Sequence, residues 1–183
     1  MRVNYKNLMN LRKIASEPKR LFVVLIFLAL AILFNSFAIG VDSLEGKVIR
    51  VTDGDTITLL DKNGKKHTIR FYGIDAPETT TNQPFGIEAK DFLASMIEQK
   101  TVKVIIKDKD KYDRIVGVVE FNGKDINKIM VQNGFAWAYS HYTEAYLSEH
   151  RQAKKQKLGL WANKKPIEPY KWRKTHDKKV FDK

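Results

Sequence analysis

Three short runs rich in β-branched and aromatic residues constrain the fold of this chain more than any other feature. The runs are KVIRV (47–51), TITLL (56–60) and HTIRFYGI (67–74), and each is typical of a β-strand. A Gly-Asp pair separates the first two runs, and Asn63-Gly64, a strong hairpin signal, joins the second and third. The sequence therefore predicts three consecutive strands, the last two of which form a hairpin.

The remaining elements are predicted from hydrophobic periodicity. Apolar residues recur at helical spacing over 88–99, whereas 101–107 and 114–121 are again typical of strands. Two further helices are predicted over 126–134 and 143–159. Five short strands interrupted by one helix favour a five-stranded Greek-key barrel of the OB type with three helices. A doubly wound sheet is disfavoured because its strands and helices would alternate throughout.

Residues 1–41 form a separate region. Residues 1–20, a basic cytoplasmic flank in this interpretation, carry six basic residues and one acidic residue, and residues 21–34 are all apolar. This pattern is typical of a secretory signal cleaved after Ala38, or of an uncleaved membrane anchor over 21–41, and both interpretations stay open. Because the positive flank stays in the cytoplasm, both predict that the remaining chain is secreted or anchored on the extracytoplasmic side.

The net charge of the chain is +12, which favours a polyanionic partner. Six of the 33 basic residues and one of the 21 acidic residues precede residue 41, so the remaining chain keeps a charge of +7. The chain contains no cysteine, which excludes thiolate metal sites, and its four histidines lack a ligand spacing. We predict one domain over 42–162, followed by a basic and loosely ordered tail over 163–183.

The predicted hairpin brings acidic residues close to an arginine. If the Asn-Gly pair forms a two-residue turn, Asp55 lies opposite Tyr72, and Arg70 becomes its diagonal neighbour. A longer turn would shift the register by one residue and change the paired faces. In either register, the DGD turn lies beside residues 70–75.

Four carboxylates are expected to converge there: Asp53, Asp55, Asp75 and Glu78. Like charges raise one another's pKa, so such a cluster requires a compensating cation. Ligands that are all oxygen indicate Ca²⁺ or Mg²⁺. The turn sequences DGDT and IDAPE are ordinary when taken singly, and their convergence with Arg70 is what favours a site. Arg114 offers a second guanidinium for a phosphate, unless its segment is a solvated hairpin.

Five motifs of the chain resemble the staphylococcal nuclease (thermonuclease) family. They are DGDT (53–56), RFYGIDAPET (70–79), DKYDR (110–114), NGFAWAY (133–139) and AKKQKLGLWA (153–162). Together they extend from about Gly46 to Ala162 in the family's order. The resemblance implies an OB-fold barrel and a Ca²⁺-dependent enzyme that hydrolyses phosphodiester bonds in DNA and RNA.

The resemblance also implies a role for each acidic residue. Asp55 and Asp75 are expected to be direct Ca²⁺ ligands, together with the backbone carbonyl of Ala76. Asp53 and Glu78 are expected to act on the metal through water. Glu78 is the residue that the resemblance implies as general base.

The expected phosphate-binding pair is Arg70 and Arg114, and we expect Arg70 to serve the phosphate rather than to neutralise the acids. Asp113 stands where the family usually has glycine, so its charge could weaken the phosphate contact of Arg114. The expected substrate-binding residues are Lys111 and Tyr112, near a neighbouring phosphate, and Tyr139 and Tyr142, which are candidates for the base pocket or for helix packing.

The sequence thus predicts an exported, monomeric Ca²⁺-dependent nuclease with little sequence specificity and a preference for single-stranded or frayed DNA and RNA. No protein partner is implied, and a membrane partner follows only if the 21–41 segment is retained. One alternative is a non-catalytic nucleic-acid-binding OB-fold module at the cell envelope. Another is a basic surface protein that binds anionic lipid or wall polymers. Only the nuclease requires the full set of acidic and arginine residues.

Overall fold

The computed structural model describes residues 19, 22–29, 42–141, 143–163 and 165–176. The chain divides into two compact units, residues 1–41 and 42–183. In the first unit, residues 22–29 are helical. Among the described residues, no helix combines the length and the apolar character needed to cross a membrane. Almost all of the predicted flank over 1–20, the cleavage site after Ala38 and much of the 21–41 segment lie outside the described residues.

The second unit is built on a closed β-barrel. Its described strands are β1 (Ser43–Asp53), β2 (Thr56–Asp61), β3 (Lys66–Phe71), β4 (Ile74–Asp75), β5 (Thr101–Lys109), β6 (Ile115–Phe121), β7 (Lys124–Asp125) and β8 (Trp137–Ala138). The main sheet has the order β3-β2-β1-β5-β6-β7, and β6 also pairs in parallel with β3. This pairing closes the five long strands into the barrel that the sequence predicts.

Strand β1 pairs with both β2 and β5, and it bends to do so. Its register with β2 shifts between Val48 and Arg50 and again between Val51 and Asp53, as at β-bulges. Six core side chains of the barrel strands are at most 1% exposed: Val48, Leu59, Ile69, Phe71, Val104 and Val119. Burial of side chains of this size contributes about 1.5–3 kcal/mol each, so the barrel core holds the strand ends that carry the site.

The helices of this unit are α1 (Gly86–Ile97), α2 (Ile126–Gln132), α3 (Leu147–Gln156) and α4 (Pro169–His176), with a 3₁₀ turn at Gly159–Ala162. Helix α1 buries Ala89, Leu93 and Ile97, which are spaced four residues apart along one face. The third helix is shorter than the predicted 143–159: it begins at Leu147, and Lys157 adopts a left-handed conformation that ends it. Helix α4 was not predicted. Within the predicted tail over 163–183, Pro169–His176 are helical, and 177–183 lie outside the described residues.

The predicted hairpin register is wrong by one residue. Thr56 pairs with Arg70, and the amide of Phe71 donates to the carbonyl of Asp55 over 2.8 Å. The turn is longer than two residues because the Asp61 carboxylate accepts from the amides of Asn63 (2.8 Å) and Lys65 (2.9 Å). The weaker prediction is confirmed, since the DGD turn still lies beside residues 70–75.

The third strand ends earlier than the sequence predicts. Gly73 has a φ of +73°, a left-handed conformation that favours glycine and turns the chain after β3. Residues 74 and 75 then form β4, which pairs with β8 through Ile74–Ala138 and Asp75–Trp137. This break aims Asp75 back towards the start of β2.

Candidate active site

Arg70 lies between the two most buried acidic residues. Its Nη1 is 3.0 Å from Asp55 Oδ2, and its Nη2 donates to Asp75 Oδ1 over 2.8 Å. Nη1 also donates to the carbonyls of Phe71 (3.2 Å) and Ile74 (3.0 Å), which fixes the guanidinium at the end of β3. The expectation that Arg70 does not neutralise the acids is therefore wrong. A carboxylate as buried as Asp75, 2% exposed, requires such a partner.

Asp55 connects the DGD turn to the IDAPE segment. Its Oδ2 accepts from the backbone amide of Ala76 over 2.6 Å, and its Oδ1 accepts from Thr56 Oγ1 over 3.0 Å. Burial raises the pKa of Asp55 to about 6, in spite of the opposing effect of Arg70. The nearby Asp75 carboxylate contributes to the rise. The site therefore holds a carboxylate at a cost in stability, a cost that a bound cation would offset.

The tight DGD turn depends on small neighbours. A Cβ atom added to Gly54 would lie 2.8 Å from the Cβ of Ala89 and 2.9 Å from the Cβ of Ala76. Real Cβ contacts are longer, so glycine allows the turn to pack directly on α1 and on the segment that follows β4. Ala76 is itself 1% exposed. Small residues at these positions set the distance between the two acidic segments.

Glu78 is held in a loop organised by Gln83, a residue that sequence reasoning missed. The Gln83 side chain is 4% exposed, and its Oε1 accepts from the amide of Glu78 over 3.0 Å. The amide of Gln83 donates in turn to the carbonyl of Glu78, also over 3.0 Å. Burial raises the pKa of Glu78, and hydrogen bonds from Arg173 oppose the rise. A carboxylate with a raised pKa is a better proton acceptor near neutral pH than an ordinary glutamate.

Arg114 reaches the site from the start of β6. Its Nε donates to Asp110 Oδ2 over 2.7 Å. Burial alone would raise the pKa of Asp110, but hydrogen bonds from Arg114 and from the backbone hold it below its usual value. Asp113 adopts the left-handed conformation, with a φ of +66°, and its carboxylate pairs with Lys109 in solvent. The contact that holds Arg114 is therefore with Asp110, not with Asp113.

One cleft of about 870 Å³ brings most of the predicted residues together. Its lining includes Asp53, Asp55, Arg70, Glu78, Lys111, Tyr112, Arg114, Tyr139 and Arg173. Tyr112 is 68% exposed, with Lys111 Nζ 5.0 Å from its ring centroid and Arg114 Cζ 5.5 Å from it. Tyr142 lies outside the described residues, so its assignment stays a prediction.

Comparison with known proteins assigns the family. The model of the family described as “Staphylococcal nuclease homologue” matches residues 68–163. A protein of Shigella flexneri named “Micrococcal nuclease” is 41% identical over 144 residues, which cover 72% of this chain and 81% of that protein. The chain belongs to the staphylococcal nuclease family.

Two proteins named “Uncharacterized endonuclease” are also similar to this member of the staphylococcal nuclease family. The one from Haemophilus influenzae is 41% identical, over 70% of this chain and 72% of its own length. The one from Escherichia coli is 37% identical, over 80% of this chain and 96% of its own length. The family resemblance read from the motifs is confirmed.

The calcium ligands that the staphylococcal nuclease family implies are only partly assembled. Across the described residues, no group of three or more carboxylate or histidine side chains surrounds one point. Asp53 Oδ1 accepts instead from the hydroxyl of Thr79 and from its amide (3.2 Å). The donor chemistry still fits a hard cation, because one cationic nitrogen, Arg173 Nη1, lies 3.1 Å from Asp75 Oδ1 and 2.5 Å from Glu78 Oε1. The Ca²⁺ assignment stays a prediction.

Arg173 is the second site residue that sequence reasoning missed. It comes from α4, and its Nη2 lies 3.0 Å from Asp75 Oδ2. Two signals could have indicated this helix: Pro169 occupies its first position, and the aromatic residues Tyr170 and Trp172 follow it within a largely basic tail. Neither signal shows where the helix docks, because the contacts span more than ninety residues of sequence.

Proposed function

We propose that this protein is a divalent-cation-dependent nuclease, with Ca²⁺ as the expected cofactor, that hydrolyses phosphodiester bonds in DNA and RNA. The observation that carries the proposal is the convergence of Arg70, Arg114, Asp55 and Glu78 on one cleft. A binding module would need the positive charges but not the buried carboxylates, which are costly to hold. The names of the relatives support the same reaction class.

The position of each side chain in the site suggests its role in the reaction. Arg114 has its Nε fixed by Asp110 and would direct the rest of its guanidinium towards the phosphate. Arg70, which lines the same cleft, would also bind the phosphate and stabilise charge that develops during the reaction. The Glu78 carboxylate would accept the proton of the attacking water. Asp55 and Asp75 would hold the cation, which when bound would orient the phosphate and neutralise negative charge.

The cleft favours a substrate that is recognised through its backbone. The charge of +7 on residues after 40 would attract polyanions, so binding should weaken steeply as salt increases. Tyr112 and Tyr139 offer aromatic surfaces on which an unpaired base could stack. We therefore propose a preference for single-stranded or frayed ends and little sequence specificity.

The test is cleavage of denatured DNA by residues 42–183, with Ca²⁺ or with a chelator. Glu78→Gln and Arg114→Ala should each lower the rate by about 10²–10³-fold, the usual cost of losing one transition-state contact. Matched controls are Glu88→Gln and Arg151→Ala, which remove the same charges from exposed helix positions. Binding of DNA without cleavage by the parent protein would favour the alternative module, and full activity in chelator would refute the role of the cation.

We also propose that the domain acts outside the cytoplasm. This proposal is supported by the basic flank over 1–20, which is followed directly by 14 apolar residues over 21–34. N-terminal sequencing of the mature protein would distinguish cleavage after Ala38 from a retained anchor. Protection of the domain from external protease in intact spheroplasts would refute export.

A further inference from the structure

The guanidinium of Arg173 takes the place in the acidic cluster that a cation would need. Nη1 contacts both Asp75 Oδ1 (3.1 Å) and Glu78 Oε1 (2.5 Å), and Nη2 contacts Asp75 Oδ2 at 3.0 Å. Arg173 therefore contacts both carboxylate oxygens of Asp75, and Arg70 Nη2 donates a second hydrogen bond to Oδ1. These are charge-assisted hydrogen bonds, the stronger class of such bonds.

We propose that Arg173 is a built-in counter-ion of Asp75 and Glu78 that a divalent cation must displace, so that cation binding loosens helix α4. This inference rests on the proposed function, because it takes Asp75, which the proposed function assigns to the cation, as the ligand whose oxygens Arg173 occupies. It assigns helix α4 a regulatory role: Arg173 occupies the oxygens of Asp75 and Glu78 until a cation competes for them.

Geometry makes the competition direct. A Ca²⁺ ion requires carboxylate oxygens at about 2.3–2.6 Å, and a guanidinium nitrogen within hydrogen-bond distance of the same oxygens occupies that space. Without either cation, the carboxylate of Asp75 would keep only Arg70 as a charged partner at its buried position. Arg173 thus offsets the cost of holding Asp75 and Glu78 close together.

Helix α4 is attached weakly enough to be displaced. Pro169 is the only one of its residues that is buried. Trp172 Nε1 donates to Thr81 Oγ1 over 2.9 Å, and the ring of Tyr170 lies 6.2 Å from that of His141. Just before the helix, Gln83 Nε2 donates to the carbonyl of Ile167 over 2.8 Å. An eight-residue helix has little stability of its own, so loss of the Arg173 contacts should loosen it. Gln83 also bonds the amide of Glu78, which couples this attachment to the loop of the candidate base.

The first experiment measures Ca²⁺ affinity by calorimetry on the full chain, purified in a mild detergent. Arg173→Gln should bind Ca²⁺ more tightly than the parent by about 5- to 150-fold, the usual range for two linked equilibria. Lys171→Gln is the matched control, because Lys171 lies on the same helix but pairs with Glu168 and has a side chain that is 66% exposed. It should leave the affinity unchanged. Equal affinities in the parent and Arg173→Gln would overturn the inference.

The second experiment measures hydrogen exchange of the full-length parent with and without Ca²⁺. Peptides that cover 167–176 should exchange faster when Ca²⁺ is added, whereas peptides from the barrel strands should not change. Slower exchange over 167–176 would mean that Arg173 and the cation bind together, and it would overturn the inference. Unchanged barrel peptides in Arg173→Gln would show that the variant keeps its fold.

Parallel DNA-cleavage assays separate the inference from the proposed function. If Arg173→Gln binds Ca²⁺ more tightly and no preparation cleaves DNA, the inference stands and the proposed nuclease fails. If the parent cleaves DNA with Ca²⁺ and its affinity is insensitive to Arg173, the nuclease stands and the inference fails. If neither protein binds Ca²⁺, there is no cation to displace and the inference is overturned.

Discussion

Replacing Asn127 with alanine should destabilise the domain strongly, although Asn127 does not line the cleft. Its side chain is completely buried, and it links strand β6 to the turn after β3. Oδ1 accepts from the amide of Val119 over 3.0 Å, while Nδ2 donates to the carbonyls of Tyr72 (2.9 Å) and Gly117 (3.2 Å). At about 1 kcal/mol net for each hydrogen bond, the loss is about 3 kcal/mol. That is a large share of the free energy of unfolding of a typical protein, about 5–15 kcal/mol.

The assay is urea unfolding of residues 42–183, followed by tryptophan fluorescence. With a slope of about 1–3 kcal/mol per molar urea, the midpoint should fall by about 1–3 M. The control is Asn133→Ala, which removes an exposed amide that donates to the Ile129 carbonyl over 2.9 Å, and it should cost less than about 0.5 kcal/mol. The reasoning is refuted if Asn127→Ala loses no more stability than Asn133→Ala.

Three further predictions concern single residues. Burial raises the pKa of Asp55 from 3.8 to about 6 on folding. The protonated side chain therefore contributes fully to stability below pH 3.8, and this contribution is lost as the pH rises through about 6. In pH-dependent urea unfolding, Asp55→Asn should therefore gain stability relative to the parent over this window, and a constant difference would contradict the pKa assignment. Gly54→Ala should cost about 1–3 kcal/mol in thermal unfolding, because its Cβ would lie 2.8 and 2.9 Å from two alanine Cβ atoms. An unchanged melting temperature would show that the turn can move. Tyr146→Phe should cost about 1.5 kcal/mol in urea unfolding, because it removes a 2.9 Å hydrogen bond to the Asp125 carboxylate, and a neutral result would mean that this bond adds nothing.

The parts of the site that lie close in sequence to strong local signals could be predicted. Asp55 and Arg70 were placed together from the hairpin, and this survived a one-residue error in register because the DGD turn reaches residues 70–75 in either register. The error itself came from the Asp61 side chain, which bonds two amides and lengthens the turn. Whether a side chain will organise a turn in this way depends on its rotamer, which composition does not specify.

Asn127 and Arg173 could not be predicted, because their roles depend on distant partners. Asn127 bonds the carbonyl of a residue 55 positions away, and Arg173 contacts Glu78 across 95 positions. A polar residue in a loop, in a short helix or in a basic tail carries no periodic signal of the kind that reveals core residues. Their importance arises only when the barrel and α4 place them against buried polar groups.

The sequence by itself determined the five strands, the α1 helix between them and the motifs that assign the family, because alternation, turn residues and helical spacing are local properties of the chain. Only the tertiary structure decided how the charges pair. Barrel closure through β3 and β6 and the docking of α4 bring two arginines onto Asp75, and these arginines also pair with Asp55 and Glu78. Electrostatic pairing acts through space over a few ångströms, and those distances are set by packing rather than by position along the chain.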